Sequence, residues 1–468
     1  MTTFSTSHIS IVGEGASVRG EPLRRFDPAD FVFKVAIVAV SAAIVVIAFT
    51  SHAREEAFQL LWQHRVGRPF LILGMAYGGL TTVWSAWRFV LAIRYRPTPC
   101  VSTGDLPRIT VVVPVFNEGA MIAETLRHLS MADYPPERME VIVVDDGSTD
   151  ETWSHVERAA GMWDRFSTGR RIEAIRLPTN RGKRHALYEG FRRASGDILI
   201  TVDSDSFVAR DALRELVSPL VRDAGVGAVA GNVRVLNKSG GLIPRMLDIR
   251  YVMTFDYKRA AQSVMSGGSV LCVAGALAAY RRAAVEPVME EWLHQEWLGQ
   301  PARAGEDHAM TNFVLRQGYV VKFQRTAHVR TQSPTTYGGL ARMFLRWGRS
   351  NVRETAHLAR FVFKPRSRCY ALRFNFLIGA TGLFVPYFFL AAAFVLSFAW
   401  PMVFGLKLLA ACVVGGVFPL FFTAARERDD EALLAIPYSF YAILLLCWVW
   451  PYALFTSHKS VWMTRSAS

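Results

Sequence analysis

The sequence predicts an α/β domain inserted between N-terminal and C-terminal membrane-spanning helices. Three observations carry the prediction. Five long apolar runs, two near the start and three near the end, bracket a central region of different composition. From about Asp105 to Arg373, short apolar stretches alternate with amphipathic ones, the pattern of strands and helices in turn. Three of those apolar stretches run directly into acidic residues, at the strand ends where open α/β sheets bind ligands.

The first apolar runs, 31–50 and 69–93, have about 20 residues or more, enough for a hydrocarbon core of about 30 Å. Residues 1–30 are polar and lack a signal-peptide run. Arg19, Arg24 and Arg25 precede the first run, and Arg88, Arg94 and Arg96 mark the end of the second. Both outer flanks therefore read as cytoplasmic, which places the central domain in the cytoplasm. That domain is assigned to 105–334, followed by amphipathic interface helices over 335–373. About three spans follow within 374–456, from the runs 374–398, 402–423 and 433–455, and then a tail over 457–468. Two spans before the domain and three after it place the C-terminus outside. Pro386, Pro401, Pro419 and Pro437 point to kinks or re-entrant turns, which leaves the count open by one.

Within the domain, Ile109–Val115 reads as a buried strand and 118–131 as the helix after it. Residues 140–144 and 197–202 read as further strands, with a helix near 183–194. The net charge of +14 fits positive-inside topology, or attraction to anionic lipid or a phosphorylated substrate. Nucleic-acid binding is disfavoured, because the basic residues flank apolar segments and form no zinc or recognition-helix pattern. The cysteines are Cys100, Cys272, Cys369, Cys412 and Cys447, an odd set without a CxxC pair, which argues against a disulfide framework or zinc site.

The first strand ends in Pro114-Val115-Phe116-Asn117-Glu118, and the second in Asp145-Asp146-Gly147-Ser148-Thr149-Asp150. A carboxylate at such a strand end can accept from a nucleobase or ribose, and Gly147 permits the tight turn that exposes it. A simple helix cap is the alternative. The third strand ends in Asp203-Ser204-Asp205, whose alternate carboxylates are oxygen ligands for a hard cation that shares substrate phosphates. A plain acidic loop is the alternative there. Lys183, in Asn180-Arg181-Gly182-Lys183, is placed to pair with a phosphate or to be a solvated helix end. In Gly305-Glu306-Asp307-His308, Asp307 is the candidate base for an acceptor hydroxyl, and His308 reads as a helix-surface histidine. Leu340, Phe344 and Trp347 share one helical face, with Arg342, Arg346, Arg349, Arg353 and Arg360 around it. That pattern suits a helix on the membrane surface. It also suits a diphosphate held by Arg346 and a sugar ring against Trp347.

The order PVFNE, DDGSTD, NRGK, DSD, GED, RW between membrane helices resembles the processive inverting family 2 glycosyltransferases. Their cellulose, chitin and hyaluronan synthases and nodulation chitooligosaccharide synthase share the architecture. The segment 273–282, with Gly275, and Trp462-Met463-Thr464-Arg465 are similar to the hyaluronan and chitooligosaccharide branch. The resemblance implies a GT-A fold, a Rossmann-like mixed sheet, and a set of roles. Asp146 and the stretch from Val115 to Glu118 would hold uridine, and Lys183 the diphosphate. Asp203 and Asp205 would hold the sugar nucleotide and Mg2+ or Mn2+, with Asp205 nearest the metal. Asp307 would be the general base, Arg346 would bind diphosphate, and Gly275 and Trp347 would contact the acceptor. Met343 stands where the family's Q-x-x-R-W motif has Gln, which bears on acceptor contacts and product length.

The expected function is polymerisation of a UDP-sugar into an extracellular glycan by an integral protein of a bacterial inner membrane. Its partners would be the UDP-sugar donor, the growing glycan and membrane lipid. A homo-oligomer or an outer accessory protein is left open. One alternative is single-sugar transfer to a lipid-linked acceptor. Another is a non-catalytic nucleotide-sugar sensor or polymer exporter.

Overall fold

Strands buried on both faces need no alternation of apolar and polar residues, and the central runs have none. The computed structural model describes residues 27–50, 53–166, 169, 171–265, 268–364 and 370–459. One mixed sheet contains Ile109–Val115 (β1), Met139–Asp145 (β2), Arg171–Arg176 (β3), Ile198–Val202 (β4), Ser206–Val208 (β5), Val226–Val235 (β6), Leu277–Arg281 (β7) and Val320–Thr331 (β8). Its order is β3-β2-β1-β4-β7-β6-β8-β5. β1 pairs in parallel with β2 and β4, and every residue of these three strands is buried. β7 enters antiparallel between β4 and β6, which makes the sheet mixed. Val115 lies opposite Asp145 in the register, so the loops after β1, β2 and β4 open along one edge of the sheet.

Seven helices position the site. Pro28–Thr50 (α1) and Gly67–Arg94 (α2) precede the sheet, and Lys183–Arg193 (α3) leads into β4. Glu306–Arg316 (α4) leads into β8, and Tyr337–Ala359 (α5) follows it. Tyr370–Ala399 (α6) and Pro401–Glu427 (α7) complete the set. α1, α2, α6 and α7 are the four helices long and apolar enough to cross a membrane among the described residues. The helix expected over 118–131 spans Met121–Ser130, a shift at its start that follows from Asn117 and Gly119 having positive φ.

The last apolar run differs from the earlier ones. It consists of Asp430–Leu445 and Val449–Phe455, bent by 42°, and makes a further span only if the two halves count as one. Its start, bend and end each touch the domain, α1 or α5. Glu431 accepts from Arg245 at 2.7 Å and from Lys34 at 3.0 Å. Trp448 donates to the Tyr337 hydroxyl at 2.9 Å, and Tyr337 donates to the Leu445 carbonyl at 2.7 Å. Arg349 donates to the Thr456 hydroxyl, and Trp297 to the Ser457 hydroxyl, both at 3.1 Å.

α5 is the helix of the RW motif, and it buries more than its apolar face. Leu340 and Phe344 are buried, but so are Arg349 and Arg353. One side of α5 packs on α4 and the other on 449–455, so those arginines point into protein. Residues 1–26, with Arg19, Arg24 and Arg25, lie outside the described residues, as do Cys369 and Trp462-Met463-Thr464-Arg465.

Candidate active site

The loop after β2 is shaped by Gly147, which has φ +72°. A Cβ there would come within 2.6 Å of the Thr179 carbonyl carbon, so only glycine lets the acidic turn pack on the 179–182 loop. Asp146 uses that packing. Its two carboxylate oxygens accept from the Arg181 amide at 2.9 Å and the Gly182 amide at 2.7 Å. Burial raises its pKa, and the two amide hydrogen bonds oppose that rise. The amide of Asp146 in turn donates to the Val115 carbonyl at 2.9 Å, which joins the first two loops. Glu118 accepts from the Ser204 hydroxyl at 2.7 Å and so joins the first loop to the third.

The Asn-Arg-Gly-Lys loop delivers Lys183 to the centre of this edge. Its ammonium pairs with Asp203 and, at 2.9 Å, with Glu306. Burial alone would lower its pKa, but the two carboxylates outweigh burial and hold it well above the ordinary lysine range. Asp307 sits beside this cluster. Its carboxylate accepts from the Gly275 amide at 3.1 Å and from its neighbour His308's amide at 2.7 Å. Burial, then the charge of Glu306, pushes Asp307 well above the usual carboxylate range against the pull of Lys183. Burial acts on Glu306 in the same direction, yet Lys183 holds it below that range. The pKa values of two adjacent carboxyls are thus driven apart, Glu306 below and Asp307 above the usual carboxylate range.

Two glycines make the approach close. Gly305, with φ +76°, begins α4, and a Cβ on it would stand 1.7 Å from the Ser350 hydroxyl of α5. A Cβ on Gly275 would be 3.0 Å from the Lys183 nitrogen, 3.6 Å from an Asp203 oxygen and 3.8 Å from the Asp307 Cβ. Gly275 is therefore the floor between Lys183 and Asp307. His308 corrects the surface assignment: it is buried, and burial lowers its pKa to about 4, so it is neutral.

Arg346, Trp347 and Met343 of α5 face the same cavity as Val115, Glu118, Asp146, Lys183, Asp203, Asp205, Gly275 and Asp307. That cavity has a volume of about 1350 Å3 and continues past Asp307 to Asn375, Gly379 and Tyr387 of α6. Trp347 is 37% exposed, with Phe344 edge-on at 5.4 Å and Tyr251 at 6.5 Å. All of the site residues named from sequence thus come together along one continuous space. Glu306, which shares Lys183 with Asp203, was not among them, although the Gly-Glu-Asp triplet sets it next to the base.

The fit to a divalent cation rests on the β4 end. Asp205 accepts from Thr331 at 3.0 Å, and one oxygen of Asp203 is taken by Lys183. Among the described residues no group of three or more His, Cys, Asp or Glu is arranged to hold a metal. Two carboxylates, one of them paired with lysine, suit a cation that takes its remaining oxygens from substrate phosphates and water.

The glycosyl transferase family 2 model matches residues 110–288. An N-acetylglucosaminyltransferase of Azorhizobium caulinodans is 31% identical over 85% of this chain and 98% of that protein. One of Rhizobium leguminosarum bv. viciae is 30% identical over 84% of this chain and 90% of the relative. Among solved structures, a mannosyltransferase from Pyrobaculum calidifontis in complex with GDP-Man and Mn2+ superposes with a TM-score of 0.56. It is 24% identical over 83% of this chain and 97% of that one, a likeness of fold.

Proposed function

The chain belongs to glycosyl transferase family 2, and on that premise we propose that it polymerises a UDP-sugar by direct displacement at the anomeric carbon. Asp146 and the 115–118 strand end hold the nucleoside, Asp146 by fixing the 180–183 loop. Lys183 and Arg346 bind the diphosphate. Asp205, with Asp203, would hold Mg2+ or Mn2+, and such an ion would supply charge neutralisation to the diphosphate. Asp307 takes the proton of the acceptor hydroxyl as its oxygen bonds to the anomeric carbon, and the bond to the diphosphate breaks. One displacement turns an α-linked donor into a β-glycoside. N-acetylglucosamine is the first sugar to try, because the relatives named above carry it in their names.

The observation that favours polymerisation is the cavity itself. It runs from the strand-end carboxylates past the base to a wall of α6, a route for a glycan longer than one sugar. Its products would resemble those of the hyaluronan and chitooligosaccharide branch. Met343 lines it where a glutamine would offer hydrogen bonds, which favours a short product or single transfer to a lipid-linked acceptor as the second reading. The test is purified protein with Mg2+ or Mn2+ and UDP-sugars supplied singly and in pairs, reading UDP release and product length. A ladder of products supports the first reading and a single addition to lipid the second. UDP release from no donor sinks both.

We further read α1, α2, α6 and α7 as four spans, with the domain on the cytoplasmic side of a bacterial inner membrane. The segment 430–455 then lies along that side, as its contacts with Lys34, Arg245, Tyr337 and Arg349 favour.

A further inference from the structure

Beyond Asp307 the cavity changes sign. Its carboxylates are Glu118, Asp146, Asp203, Asp205, Glu306 and Asp307, all within the donor site and base already described. Around Cys272, towards α2, the cations that face the cavity are Arg88, Arg250, Lys258 and Arg259, and Asp307 is the carboxylate whose charge reaches Arg259. Arg88 comes from α2, and the other three come from the helical stretch that begins at Leu242 and turns into a wider π-type coil at Met253–Arg259.

Among the described residues, none of the four has a carboxylate within ion-pair distance. Arg88 lies over the Trp84 ring at 5.0 Å and the Tyr257 ring at 5.7 Å. Arg259 lies over Phe255 at 4.0 Å, and one of its terminal nitrogens is buried without a hydrogen-bond partner. Lys258 leaves its side chain open to the cavity. Aromatic faces and one thiol are weak compensation for four like charges that face one cavity, where Arg259 is buried, Arg88 half-buried, and Arg250 and Lys258 open. The carboxylates on the same stretch do not line the cavity and are engaged elsewhere, Asp248 with Arg234 and Lys238, and Asp256 with Arg325 and Arg426. An anionic group on a ligand would supply the partner that the buried Arg259 nitrogen lacks.

Resting on the glycosyltransferase reading, we propose that this end of the cavity receives an acceptor glycan bearing an anionic group, a carboxylate on a sugar or a phosphate on its carrier. The attacked hydroxyl lies at Asp307, and the anionic group lies towards α2 among Arg88, Lys258 and Arg259. These three select the acceptor and take no part in donor binding.

The test is binding to the purified full chain in nanodiscs, independent of turnover. Four probes serve: a neutral β-linked N-acetylglucosamine tetrasaccharide, an oligosaccharide of equal length containing glucuronate, a polyprenyl-phosphate-linked sugar, and sugar-free polyprenyl phosphate. The expected result is about tenfold tighter binding of one charged sugar probe than of the neutral one. Lys258→Gln and Arg88→Gln each remove most of that preference. Preference for glucuronate identifies an acidic glycan, and preference for the phosphate-linked sugar a lipid-carried one. Equal affinity for neutral and charged probes overturns the proposal, as does a preference that survives both substitutions. Equal binding of the sugar-free phosphate makes this a headgroup site and overturns it too. UDP binding by the same protein is read separately, so its absence would count against the enzymatic reading alone.

Discussion

An aspartate in water is a weak base at neutral pH, and Asp307 is placed where that weakness is reduced. Burial and the fixed anion of Glu306 raise its proton affinity, while Gly275 and His308 orient its oxygens. We expect Asp307→Asn to lower sugar transfer by roughly 100- to 10,000-fold, while UDP affinity stays near that of the parent. Full activity in that variant would sink the assignment. The working form is the anion and its pKa is raised, so activity is present above that pKa and lost as pH falls through it. The acid limb of kcat/KM therefore lies above the ordinary aspartate value of about 4. Lys183→Ala removes the charge that opposes this rise, so residual donor hydrolysis in that variant should show the limb shifted to still higher pH. At this scale the sequence was informative where a residue's neighbours in the chain are also its neighbours in space. Asp146, Lys183, Asp203 and Asp307 stand at ends of elements, and their motifs announce them. The cations at 88, 250, 258 and 259 were not legible. Their common cavity depends on a helix some 160 residues away and on a wider coil that no apolar periodicity signals.

Elements position these residues, and α5 is tied to the helix that carries Glu306 and Asp307. Glu354, on α5, is fully buried and accepts from Arg353 at 2.8 Å, from Asn312 of α4 at 3.1 Å and from Gln295 at 3.2 Å. The network locks α5 to the helix that begins with Glu306 and Asp307. Replacement of Glu354 by Ala leaves Arg353 buried without its carboxylate, a loss of about 3–5 kcal/mol that thermal unfolding would register. Burial works against the anion of Glu354, yet Arg353 keeps its pKa lowered. Its stabilising share is thus present above the unfolded value of about 4.3 and is lost as pH falls through the folded one. The strands were readable because burial on both faces writes an unbroken apolar run, as in β1, β2 and β4. α5 was half readable. Its apolar face was evident, but a row of arginines reads as solvated until Glu354 and the carbonyl of Ala304 are seen to receive Arg353.

For the whole molecule the open question is which side of the membrane holds the end of the chain. A run of about 20 apolar residues is long enough to span, which is why 433–455 reads as a fifth crossing. A crossing separates its ends by about 30 Å of hydrocarbon. Here Glu431 is bound to Arg245 of the domain, and Ser457 to Trp297 of the same domain. The middle of the run is held by Tyr337 at the start of α5. A segment tied to one body at its start, bend and end fits a path along the interface, with its aromatic residues at headgroup level. An even number of spans then returns the chain to the side of the catalytic domain. In a background with the native cysteines replaced, Lys459→Cys should react with a membrane-impermeant maleimide in inverted vesicles and stay unlabelled in intact cells. A cysteine at Ser51, after α1, should show the opposite pattern. Labelling of position 459 from outside would restore the fifth crossing.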